Sequence, residues 1–166
     1  KLLSRSRFLF LAEFPQLFSE RIIAEMRGVS DENGKSPFWE GLGRHFFKMP
    51  FADADYLTGV GNKAFIAELM PRFPLYVPLL APSAQAVIGQ VHAATRPALR
   101  LLQSEGFAHR SYVDIFDGGA VVECETRQIR AVRDSQTLVL AIGTPAEPGV
   151  EYLIYNRQLA DCRITS

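Results

Sequence analysis

Three histidines are the side chains best suited to moving protons at neutral pH, since an unperturbed imidazole titrates near ~6.5. His45 stands beside Phe46 and Phe47 on a helical stretch and reads as a half-buried packing residue. His109, in Ala108-His109-Arg110, reads as a solvated turn residue. His92 follows Ile88-Gly89-Gln90-Val91 and comes just before a helix opened by Thr95 and Pro97. A loop against a helix N-terminus gathers backbone N–H groups and often mounts a general acid or base. His92 is therefore the catalytic candidate. Among the carboxylates, strand alternation over Ser111–Asp117 puts Asp114 on one face with Tyr112 and Phe116, and Val113 with Ile115 on the other. Both faces are apolar, so Asp114 is expected to be buried and to need a partner. That partner is a cationic substrate, a histidine that the carboxylate orients, or a structural arginine. Glu123 and Glu125 alternate outward and read as a solvated face.

Stronger single motifs are missing. The sequence has no His-Glu-x-x-His, Gly-x-Ser-x-Gly or Walker pattern, and no metal-ligand spacing. Thr58-Gly59-Val60-Gly61-Asn62-Lys63 weakly resembles a phosphate loop, but no good strand precedes it, and it reads as a turn between short helices. Cys124 and Cys162 fit reduced thiols in a cytosolic protein rather than a disulfide framework.

The elements that must position these groups follow from pattern. An opening helix carries Leu3, Phe10, Leu11, Phe14, Leu17 and Phe18, with Pro15 kinking it or starting a second turn. Residues 21–27 read as a strand and 28–35 as a loop turning at Asn33-Gly34. Ser36-Pro37 opens a helix with Phe38, Trp39, Leu42 and Phe46 on one face. Short helices are expected at about 53–58, 63–69 and 83–88, then a clearer one at 96–105, stopped by Gly106. Residues 110–116 and 120–126 form a hairpin across Asp117-Gly118-Gly119, and 137–142 and 151–155 read as further strands. Segments 36–47 and 96–107, both Pro-started helices with a late Gly and then Phe, suggest a repeated strand–helix–strand unit. The sum is an α/β (α+β) layered domain with a β-rich C-terminal tail.

Composition sets limits. The 166 residues suit one domain, or one with a small appendage, by the usual ~100–200 residues per domain. Hydrophobic residues at 48% and charged residues at 22% exclude a disordered chain. Lys+Arg 18 balance Asp+Glu 18, with no basic stripe, which argues against nucleic acid. Apolar runs are too short to span a membrane, and no signal peptide is visible. The chain lacks an initiator Met and opens inside a helix, so it is expected to be part of a longer polypeptide.

Four blocks occur in order: Ala24–Asp31 with Ser36–Trp39; Phe65–Pro71; Val87–His92; and Glu105–Phe107 with Tyr112–Gly119. Together they resemble arginine N-succinyltransferase over about residues 1–133. The resemblance implies a GNAT-like acyl-CoA N-acyltransferase fold, with helices packed on a mixed sheet. It sets the domain at 1–133, with a β-rich segment at 134–166. It also implies succinyl-CoA as co-substrate with no permanently bound cofactor, and the α-amino group of L-arginine as acceptor. The alternatives are ornithine or another basic amino acid, or a non-catalytic partner subunit. It assigns His92 as proton donor. A glycine-rich pyrophosphate loop would lie just before Lys1, so the first helix should receive the coenzyme, at Leu3 and Ser4. Glu25, Asp31, Asp114 and Asp117 are the carboxylates available for a guanidinium, with Asp114 favoured by the burial argument. A cytoplasmic homo-oligomer, or a hetero-oligomer with a related subunit, is expected.

Overall fold

Proline and glycine punctuate the chain where the helices stop. The structure is a computed structural model describing residues 2–61, 64–141, 143 and 149–165. The residues fall into two compact units. One comprises Lys1–Ile22, Ser104–Phe107 and Cys124–Ser166; the other comprises Ile23–Gln103 and Ala108–Glu123.

In the first unit, helix α1 (Leu2–Glu13) is followed by a 3-10 turn at Pro15–Leu17, so Pro15 begins a new turn, fitting its fixed φ and missing N–H. α1 buries Phe8 and Leu11; of the expected apolar face Leu11 is buried, Phe10 and Phe14 are half-buried, and Leu3, Leu17 and Phe18 are exposed. α1 packs on α7 (Arg130–Arg133). Phe8 meets Phe107 with ring centroids 6.0 Å apart, and Phe10 and Phe14 pack around Tyr155. Glu105 is fully buried yet satisfied: Arg130 Nη2 lies 2.5 Å from Oε1, and the Ala131 N–H donates to Oε2 at 2.9 Å.

The expected strand at 137–142 does not form over 137–141, and Ile142 lies outside the described residues. Val139 is 99% exposed, and without a ladder partner an apolar run has nothing to hold it extended. Of 151–155, only β4 (Ile154–Tyr155) pairs, antiparallel with β5 (Ile164–Thr165).

The second unit holds an aromatic core. Trp39 is fully buried, stacked on Phe47 (5.2 Å, 12°) and Phe116 (5.7 Å, 28°), with its Nε1–H donating to the Met49 carbonyl at 3.0 Å. Ser36 Oγ accepts the Trp39 N–H as the N-cap expected of it. The helix it opens is not regular. Trp39–Gly43 is a π turn, in which the Arg44 N–H reaches the Trp39 carbonyl, and it runs into α2 (Arg44–Phe47). A Cβ on Gly43 would sit 2.3 Å from the Trp39 ring, and one on Gly41 2.6 Å from Ala84 Cβ, so these glycines admit the indole and the neighbouring α5 (Pro82–Gln85). The bulge turns His45 outward, so it is exposed rather than half-buried. After Phe47 the chain enters α3 (Phe51–Gly59) and α4 (Ala64–Leu69), not a strand, so the suggested strand–helix–strand repeat is absent here. Asn62 and Lys63 of the weak phosphate-loop pattern lie outside the described residues.

The sheet has the order β1-β3-β2, with β1 at Arg21–Glu25, β2 at Ala108–Val113 and β3 at Ala120–Glu125. β2 and β3 form the expected antiparallel hairpin, with a register irregularity between His109 and Val113. Both faces of β3 are covered from Ala120 to Cys124, so Glu123 is buried rather than solvated and faces Arg110 Nε at 3.3 Å, while Glu125 is exposed as expected. His109 lies on strand β2 rather than in a turn, and a Cβ on Gly89 would stand 3.1 Å from its ring.

Candidate functional site

Three segments of the second unit are tied together by backbone bonds. The Met26 N–H donates to the Ala120 carbonyl at 3.0 Å, and the His92 N–H to the Arg27 carbonyl at 2.9 Å. The Gly89 N–H donates to the Gly118 carbonyl at 2.8 Å. Their knot is Asp117, 8% exposed. Its Oδ2 accepts the Gly28 N–H at 2.6 Å and its Oδ1 the Gly119 N–H at 2.8 Å. Burial pushes this carboxyl above its ordinary range. The two N–H donors pull it back, Asp114 adds to the rise, and Arg27 opposes it. The approach is too close for side chains: a Cβ on Gly119 would lie 2.1 Å from the Met26 carbonyl oxygen.

On this frame lies an open cleft of about 710 Å³ lined by Arg27, Ser30, Asp31, Glu32, Asn33 and His92. His92 is half-buried and does its own capping. Its Nδ1 accepts the Ala94 N–H at 3.2 Å, opening a 3-10 turn (Ala93–Thr95) that runs into α6 (Arg96–Ser104). Thr95, the expected cap, instead donates its hydroxyl to the His92 carbonyl at 3.0 Å. The Nδ1 bond needs that nitrogen's lone pair, so the neutral ring carries its proton on Nε2. Arg27 Nη2 bonds Ser30 Oγ at 3.0 Å. Asp31 closes the loop: its Oδ1 accepts N–H groups from Asn33 (2.9 Å) and Lys35 (2.8 Å).

The other expected site residues stand elsewhere. Asp114 is not on a strand between apolar faces. β2 ends at Val113, and the half-buried Asp114 turns the chain, its Oδ1 accepting N–H from Phe116 (2.8 Å) and Asp117 (3.1 Å). Tyr112 is exposed and Phe116 buried, so the alternation behind the burial argument stops at the hairpin loop. Glu25 is exposed at the end of β1. Leu3 and Ser4 occupy the first turn of α1, in the other unit, where the Ser4 carbonyl accepts Arg7 Nε–H at 3.1 Å. Thus Asp31 and His92 meet in one cleft, Asp117 supports it from beneath, and Glu25 and Asp114 do not line it. Sequence reasoning missed Arg27, Ser30 and Glu32. Their signal was an Arg-Gly step at the end of a strand, followed by a polar turn.

The model of the arginine N-succinyltransferase beta subunit family matches residues 1–131. The chain belongs to this family. It is 64% identical over its full length to the Pseudomonas aeruginosa arginine N-succinyltransferase subunit beta, of which it covers 49%. It is 58% identical over 89% of its length to the arginine N-succinyltransferase of Enterobacter sp. strain 638, covering 43% of that protein. A solved structure of arginine/ornithine succinyltransferase subunit AI from Pseudomonas aeruginosa superposes with a TM-score of 0.85 and 39% identity, over 98% of this chain and 46% of that one. The α/β, GNAT-like fold expected from the family blocks is the fold observed, with antiparallel pairing where a mixed sheet was expected. The chain spans about half the length of the curated relatives it matches. Among the described residues, no helix is long and apolar enough to cross a membrane.

Proposed function

We propose that this chain carries the proton-handling part of an acyl-transfer site. The enzyme moves a succinyl group from succinyl-CoA to the α-amino group of L-arginine, giving N2-succinylarginine and CoA in arginine breakdown. The observation that carries this reading is His92 in a cleft shared with one cation, Arg27, and two carboxylates, Asp31 and Glu32. Family membership over residues 1–131 supports it.

In the reaction the neutral amine's lone pair attacks the thioester carbonyl carbon. A C–N bond forms, the C–S bond breaks, and one proton passes from nitrogen to the departing sulfur. His92 is the group that hands over that proton, a role typically contributing about 10²–10⁴-fold. To do so as imidazolium it must release the Ala94 N–H, so its protonation and its capping bond are coupled. Asp31 and Glu32 suit an acceptor's side-chain cation. Asp117 is less suited, because both of its oxygens already hold backbone N–H groups, and Asp114 is less suited because it does not line the cleft.

Residues 1–133 carry the transferase domain and 134–166 an appended segment, in keeping with the extent of the family match. Leu3 and Ser4 contact the coenzyme in the complete enzyme. The relative's designation as subunit beta supports a multi-subunit assembly, homo- or hetero-oligomeric. A CoA donor and a chain of only two cysteines support a cytoplasmic setting.

A second reading, ornithine as acceptor, is favoured by the neighbour described as an arginine/ornithine succinyltransferase. Turnover of the full-length enzyme with arginine and ornithine separates the two. His92→Ala there should lower turnover at least ~10²-fold in a folded protein. Near-normal turnover would remove His92 from the mechanism.

A further inference from the structure

Arg27 has a side chain that the frame does not use. Its backbone is fixed, because its carbonyl takes the His92 N–H at 2.9 Å and the next residue's N–H goes to Asp117 at 2.6 Å. Its side chain is exposed and lines the His92 cleft, bonding the Ser30 hydroxyl rather than a carboxylate. Among the described residues, no ion pair ties Arg27 to the acids around it, and two of those acids are engaged by backbone. Both Asp117 oxygens hold backbone N–H groups, and Asp31 Oδ1 holds two more. A guanidinium has five donors in a rigid fork, and its best partner is a carboxylate held side-on.

We infer that Arg27 holds a substrate carboxylate next to His92 and so selects for substrates that carry one. The inference rests on the acyl-transfer reading above. Two carboxylates are available to it: the free end of the succinyl chain and the α-carboxylate of the acceptor. Either would sit a few bonds from the reacting carbon or nitrogen, the distance at which an anchor positions both partners for attack.

The test uses Arg27→Gln in the full-length enzyme, with succinyl-CoA or butyryl-CoA as donor and arginine or agmatine as acceptor. Analogues too slow to follow as substrates are measured as competitive inhibitors. With the natural pair, kcat/KM should fall about 10–100-fold, the usual loss for a charge-assisted contact. The penalty should vanish when the matching carboxylate is absent. Loss of the penalty with butyryl-CoA identifies the succinyl carboxylate as the partner, and loss with agmatine the acceptor's. Arg27→Lys should recover part of the effect, since it keeps the charge without the fork. A penalty of equal size with all four pairings, or no penalty with any, overturns the inference while leaving the acyl-transfer reading intact. A wild-type enzyme that fails to turn over succinyl-CoA with arginine overturns both.

Discussion

The Asp117 carboxylate reaches Gly28, 89 residues away in sequence, and takes its N–H at 2.6 Å. With the second bond from Gly119, one buried side chain joins the end of β1 to the β2–β3 loop. The residue next to Gly28 then supplies the carbonyl that holds His92. Asp117 is therefore a positioning residue for the cleft, two bonds removed from the imidazole it helps to place.

Removing that carboxylate should leave two buried N–H groups without partners. Asp117→Ala is expected to cost about 2–6 kcal/mol, from about 1–3 kcal/mol for each of the two orphaned donors. Chemical denaturation of the full-length protein measures it. A loss below about 1 kcal/mol would mean that water or a shifted loop replaces the carboxylate.

Asp117 also makes a pH prediction. Its folded-state carboxyl is raised above the unfolded value of 3.8, chiefly by burial. Between the two values the folded protein holds a proton that the unfolded chain has lost. The stability from this group is thus present below 3.8 and declines as pH rises through the folded value, then levels off. Asp117→Asn cannot titrate. The stability of wild type relative to this variant should therefore fall with rising pH across that window. A difference that stays flat, or that rises, contradicts the assignment.

Glycine substitutions should divide sharply by what surrounds them. A Cβ at Gly119 would press on the Met26 carbonyl oxygen and the Gly28 nitrogen, both backbone. Gly119→Ala should cost more than about 3 kcal/mol, because no flexible side chain can yield. Gly59, at the end of α3, has nothing within 4 Å and no positive φ. Gly59→Ala should be neutral or stabilising by up to about 1 kcal/mol. Thermal unfolding of the two variants checks the contrast.

Much of this arrangement was legible in the residues. Pro15, Ser36-Pro37 and Gly106 marked helix ends because their backbone preferences are local, and the Asp117-Gly118-Gly119 turn marked the hairpin. His92 could be picked out because it precedes a helix start. The failures came from tertiary context. Glu123 looked solvated by alternation, but Ala120 to Cys124 are all buried, so both faces of β3 are covered there. Asp114 looked buried by alternation carried three residues past the end of β2, to Phe116. The π turn at Trp39–Gly43 depends on the indole folding over Gly43, which no helical period encodes. Arg27 escaped notice because its importance lies in what its neighbours leave free.

In the first unit, Glu105 gives an independent check on packing. It is fully buried and depends on Arg130 and on the Ala131 N–H. Arg130→Ala should cost about 1–3 kcal/mol, less than for a fully enclosed pair because Arg130 is 46% exposed. Adding Glu105→Leu should return part of that loss, since the unpaired charge goes with it. A double variant that is less stable than Arg130→Ala would show that the Ala131 contact, not the ion pair, dominates.

His92 has two jobs in this arrangement, and substitution can separate them. Its Nδ1 caps the turn that leads into α6, while its Nε2–H is left for chemistry. His92→Ala loses both, so stability should fall by about 0.5–2 kcal/mol, the usual effect of losing a cap, and turnover at least ~10²-fold. Asn is a good cap whose side-chain oxygen can accept the Ala94 N–H, but it has no group that titrates near neutrality. His92→Asn should therefore recover most of the stability and none of the turnover. Thermal unfolding and steady-state kinetics on the same three proteins decide it. If activity returns together with stability in the Asn variant, His92 serves the fold alone and the proton must come from elsewhere.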